Sequence, residues 1–179
     1  MGHARVRVSG FTLVELLVVI LIIGLIAALA VPRLSRGTSS ADEAALRGNL
    51  TVVRHALELY ATEHWGAFPG YHRTDGTQRG NGREADFYAQ LLECSTVTGV
   101  TGTCVPPRIF GPYLIEFPRL NVGVNSASNK KPDEVKFKNQ TPLGADDSIA
   151  TGWIYNPETG AIIANSQDVD SQGTPFAEY

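Results

Sequence analysis

One carboxylate lies inside the most apolar stretch of this 179-residue chain. From Phe11 to Val31 the only polar side chains are Thr12 and Glu15. A helix of that length extends roughly 31 Å, enough to cross a bilayer core, and reads as a membrane span rather than a buried core helix. A carboxylate there is costly to leave unpaired, so Glu15 reads as a functional residue in need of a partner. A second chemical feature is the pair Cys94 and Cys104, with nine residues between them. That spacing makes a compact disulfide loop if the thiols are oxidised, and lacks the two-residue spacing of a redox or zinc motif. A third is Asp168-Val169-Asp170-Ser171-Gln172-Gly173. Carboxylates at alternate positions and a glycine at the sixth open a calcium loop, but Tyr179 stands where the completing glutamate belongs. Asp168 and Asp170 alone supply too few oxygens, so Asp146 or Asp147 would have to converge on them.

No catalytic pattern accompanies these groups. His55, His64 and His72 lack metal-ligand spacing on one helix, and no Gly-x-Ser-x-Gly elbow occurs. His64, beside Trp65, reads as a helix-end residue. Lys130, Lys131, Lys136 and Lys138 form a basic patch with little aromatic interleaving, which reads as a solvated face. DNA or a neighbouring subunit is the other reading of it. The formal charge is −3 from 15 basic and 18 acidic residues, and loss of Arg5 and Arg7 would make it −5. Nucleic acid is therefore an unfavoured partner.

The stretch Gly10-Phe11-Thr12-Leu13-Val14-Glu15, after a short basic leader and before a long apolar run, resembles the processing site of type IV pilins and type II secretion pseudopilins. The resemblance implies cleavage after Gly10 by a prepilin peptidase, methylation of the new amino-terminal Phe11, and an assembly role for Glu15. Pro32 falls where that family habitually has a proline. It also implies partners: the peptidase-methyltransferase, copies of this chain and other pilin-like subunits, an inner-membrane assembly platform, and membrane lipid. The expected location is the bacterial inner membrane, crossed once, with the head on the periplasmic or extracellular side. Of the two branches, the major pseudopilin of a type II secretion system is the first expectation and a type IV pilus subunit the second. Neither is an enzyme. Major pseudopilins resembling this chain bind calcium through a carboxy-terminal loop; Leu143-Gly144-Ala145-Asp146 echoes part of that pattern, although it precedes the final hairpin. Three alternatives stay open: an ordinary signal peptide cut after Ala28-Leu29-Ala30, an uncleaved anchor, and a membrane-anchored periplasmic enzyme or receptor.

Around these groups the sequence predicts an α+β layout: residues 1–10 as leader, 11–32 as a transmembrane or filament-core helix, 33–66 as its amphipathic continuation, and 67–179 as the head. Pro32 and the Ser- and Gly-rich stretch 33–40 predict a kink or a short unwound segment. Ser40-Ala41-Asp42-Glu43 reads as a capping box that restarts the helix. Leu46, Leu50, Val53, Leu57, Tyr60 and His64 then recur at steps of four and three, one face of an amphipathic helix ending near Gly66. Residues 84–94 predict a short helix. Residues 106–118, proline at both ends, predict a short edge strand or extended connection. Residues 135–138 alternate as a half-exposed strand. Residues 152–155 and 161–164 flank a turn-rich loop as a hairpin, in a small antiparallel sheet on the helix. Phe176 and Tyr179 predict a tail that docks on the head.

Overall fold

A computed structural model describes residues 11–75 and 82–179, with the side chains of residues 28–39 left out. The leader at residues 1–10 lies outside the described residues. One helix dominates: α1, Leu13–Glu63. It runs through Pro32 and the stretch 33–40, so of the two expectations there, a kink or an unwound segment, the unwound segment does not form. The physical reason is cooperativity. Serine, threonine and glycine each cost about 0.5–1 kcal/mol in a helix interior, whereas starting a helix is the unfavourable step, and strong helix formers have already nucleated it on both sides. Residues 40–43 therefore sit in mid-helix with no terminus to cap.

The chain divides into two compact units, one ending at Ser40 and the other comprising Ala41–Tyr179. The head thus includes the second part of α1. Its buried face is the one the spacing predicts: Leu46, Leu50, Val53, Leu57, Tyr60 and His64 are all buried. The helix closes with the Gly66 amide donating to the Ala61 carbonyl at 2.8 Å, and Trp65 and Gly66 both adopt positive φ. That six-to-one bond satisfies a carbonyl that the helix end leaves over.

Helix α2, Glu84–Leu92, packs through Phe87 and Leu91. Its first turn is anchored by Asp86, which accepts from the Arg83 amide and from both the amide and hydroxyl of Thr74. Two short strands, β1 (Cys94–Ser95) and β2 (Thr101–Gly102), pair antiparallel beyond it. Residues 106–118 are an extended connection that meets β1 at the Ser95–Phe110 bridge.

The main sheet has three strands in the order β3-β4-β5: Lys131–Phe137, Thr151–Tyr155 and Ile162–Ala164. The hairpin β4-β5 is antiparallel as expected. Strand β3 pairs parallel with β4, so the sheet is mixed rather than antiparallel. Parallel neighbours need a connection of about a dozen residues or more, and residues 138–150 supply it without a helix. The central strand is covered on both faces: Trp153, Ile154 and Tyr155 are fully buried. Their polar atoms are satisfied, with the Trp153 indole donating to the Pro118 carbonyl at 2.9 Å and the Tyr155 hydroxyl to that of Pro69 at 3.0 Å. In the hairpin turn Gly160 has φ +73°, and a Cβ there would lie 2.4 Å from the Phe68 ring. Only glycine suits both the turn and the ring that closes over it.

Candidate functional site

The first turn of α1 carries the groups singled out by the apolar run. Gly10 lies outside the described residues. Phe11 is exposed, and the helix proper starts two residues later. The Thr12 hydroxyl accepts from the Glu15 amide at 3.2 Å, and the Glu15 carboxylate accepts from the Thr12 amide and hydroxyl at 3.5 Å each. This is a reciprocal capping box, with Thr12 as the cap and Glu15 at the third helical position. The signal stands in the sequence as Thr12-Leu13-Val14-Glu15, and the reading of Glu15 purely as a partner-seeking charge passed over it. A carboxylate at a helix start also opposes the positive end of the helix dipole. Glu15 is thus held in place by its own chain while its charge stays exposed.

Every large apolar side chain from Leu13 to Ile26 is exposed, from 44% at Val19 to 83% at Leu13. A helix apolar on all sides is at rest only inside a lipid or protein phase, and a patch this continuous marks an interaction surface. Among the described residues no helix is long and apolar enough to cross a membrane. The side chains described before Ser40 end at Ala27, short of the roughly 20 residues a span requires. The side chain of Pro32 falls in the stretch left out.

In the head, Cys94 and Cys104 are joined, with their Cα atoms 5.0 Å apart. The loop they close is tied to the end of α1 by His64. Its Nδ1 lies 2.8 Å from the Tyr60 carbonyl and its Nε2 2.9 Å from the Ser95 hydroxyl. A carbonyl only accepts, so Nδ1 carries the proton and the neutral ring takes its second bond from Ser95. The ring stacks on Tyr60 with centroids 3.7 Å apart. Burial pushes its pKa down, against the opposing pull of the Tyr60 and Thr96 main chains and the Glu63 charge. His64 is a structural residue, as its position at the helix end implied. Gln90, fully buried, fastens the same region by accepting from the Gly70 amide and donating to the carbonyls of His72 and Gly99.

Three of the four calcium candidates have other partners. Asp170 accepts from the amides of Gln172 and Thr174, from the Tyr179 hydroxyl and from Arg47. Asp146 accepts from Ser148 and Lys138, and Asp147 from the Gln167 amide. Among the described residues no group of three His, Cys, Asp or Glu side chains is placed to hold a metal. In the basic patch, Lys131, Lys136 and Lys138 pair with Glu134, Glu84 and Asp146, which leaves little concentrated positive field for a polyanion.

Comparison with known proteins bears on the same amino-terminal segment. Residues 5–31 match the prokaryotic N-terminal methylation motif. The chain is similar to the type II secretion system core protein G of Pseudomonas aeruginosa, 35% identical over 65 residues, which is 36% of this chain and 45% of that protein. It is 38% identical over 62 residues to the core protein G of Escherichia coli, 35% of this chain and 43% of that protein. It is also 43% identical over 53 residues to the type IV narrow pilus major component PilA5 of Thermus thermophilus, 30% of this chain and 46% of that protein. The matches span less than half the length of these curated relatives. No solved structure matches significantly. The amino-terminal segment is that of the type IV pilin and pseudopilin family.

Proposed function

We propose that this chain is a structural subunit of a pilus-like filament, the major pseudopilin of a type II secretion system. One observation carries the reading: an uncovered, all-round apolar helix that bears the methylation motif and a single exposed carboxylate at its start. In this reading a prepilin peptidase cuts between Gly10 and Phe11, and Phe11 is then methylated. Residues 11–32 cross the inner membrane until the subunit is extracted, and in the filament they pack against the same helix of other subunits. Glu15 receives the amine of a neighbour's Phe11. An unpaired charge in such an apolar core costs several kcal/mol, so pairing selects one axial register where the apolar surface alone would accept many. The core of the head closes without the first helical stretch.

The similarity to PilA5 supports a second reading, a type IV pilus subunit. Both share the same helix physics. Intact mass of protein purified from membranes tests their common premise. The expected mass is that of a chain starting at Phe11 with one added methyl group and two fewer hydrogens for the disulfide. A chain starting at Met1 or near Val31 contradicts it. Loss of secretion rather than of surface pili on deleting the gene then separates the two readings.

A further inference from the structure

The stretch 166–179 is folded back on itself and onto α1. The Asp170 amide donates to the Thr174 carbonyl at 2.8 Å, the Phe176 amide to the Asp168 carbonyl at 3.1 Å, and Phe176 is buried. At the centre lies a carboxylate with almost no access to water: the Asp170 side chain is 2% exposed. Such a charge needs a full set of donors or a cation. An ionised carboxylate offers about four acceptor sites, and here all four are used. One oxygen accepts from the amides of Gln172 and Thr174 at 2.7 and 2.8 Å; the other accepts from the Tyr179 hydroxyl at 2.6 Å and from Arg47 at 3.3 Å. The Tyr179 hydroxyl in turn accepts from Arg47 at 2.6 Å, and the guanidinium lies 4.4 Å over the Tyr179 ring. These donors, the Tyr179 hydroxyl first and the Thr174 amide next, hold the Asp170 carboxyl below the usual carboxylate range. One turn before Arg47, Glu43 accepts from the amide and hydroxyl of Ser171 at 3.0 and 3.2 Å. Residues four apart share one helix face, so α1 presents an acceptor and a cation to the same loop.

We propose that Arg47 is the resident cation of this loop, and that the 166–179 segment is clasped to α1 without any metal. The calcium-like spacing of Asp168, Asp170 and Gly173 persists, but one Asp170 oxygen is spent on Tyr179 and Arg47 and the other on two backbone amides. A divalent ion seeking six to eight oxygens would have to displace these donors. The inference does not depend on the filament reading.

The test uses full-length protein in detergent. Cleavage within residues 166–179 by a protease and the thermal midpoint are measured with chelator and with millimolar calcium, for wild type, Arg47→Gln and Arg47→Lys. Wild type should respond to calcium by less than twofold in cleavage rate. Arg47→Gln should be cleaved about tenfold faster in either condition, the scale of one lost charge-assisted contact, and Arg47→Lys should recover part of the protection. Protection of wild type by calcium overturns the proposal, as does unchanged cleavage of Arg47→Gln. Because the Arg47 side chain is half exposed, its replacement opens no hole in the core, and the wild-type comparison stands without either variant.

Discussion

Leu21 and Leu57 belong to the same helix, yet Leu21 is 65% exposed and Leu57 is 1% exposed. Around Leu57 the helix is apolar on one face, and that face meets α2, the sheet and the extended connection. Around Leu21 it is apolar on all faces, and among the described residues the large apolar side chains from Leu13 to Ile26 are exposed. The difference lies in sequence periodicity. An apolar stripe can be satisfied by one folded domain, whereas an apolar cylinder needs an environment. The first stretch therefore contributes to what the protein assembles with, and the second to how stably the head folds.

The largest effect expected from this contrast is a core truncation. Leu50→Ala should lower head stability by about 2–5 kcal/mol through lost burial and the cavity left behind, read by urea unfolding in detergent. Leu21→Ala removes the same atoms and should leave that stability unchanged within about 0.5 kcal/mol. Equal losses would mean the two stretches do not differ as described. Next in size is the bridge. Cys94→Ser with Cys104→Ser should cost about 2.5–3 kcal/mol by the chain-entropy account of a loop this short, and free thiols titrated in protein from its native compartment would contradict the pairing.

Smaller still is the effect of pH through His64. Its folded pKa lies below its unfolded value because the neutral ring is buried. Between those two values the unfolded chain binds a proton that the folded chain refuses, so stability falls as pH falls below about 6.5 toward the lowered value. Above that pH both states are neutral and the group contributes no slope. His64→Gln should flatten the decline of thermal midpoint between neutral and mildly acid pH. The same decline in the variant would assign it to other groups.

Much of this could be read from the residues. The six-residue stripe from Leu46 to His64, the helix from Glu84 and the hairpin around Gly160 rest on local periodicity and turn chemistry, which neighbouring residues decide among themselves. The parallel pairing of β3 was hidden, because alternation at Val135 and Phe137 marks a strand but not the direction of its partner. Glu43 looked like a cap because it follows Ser40 by three. Its real partner, Ser171, is 128 residues away, and no local pattern points there. The same distance hid the Arg47, Asp170 and Tyr179 cluster. Thr12 was legible by the same capping rule and was obscured by the stronger oddity of Glu15.

That capping role makes the choice of substitution decisive. Glu15→Ala removes both the charge and half of the capping box, whereas Glu15→Gln keeps a side chain able to accept from Thr12 and removes only the charge. The most direct test of the assembly account is filament yield from cells producing wild type and Glu15→Gln at equal membrane levels. If Glu15 acts by pairing its charge with the amine of a neighbouring Phe11, Glu15→Gln should insert, be processed and fold its head normally, yet give few or no filaments. Filament yield equal to wild type would contradict that role.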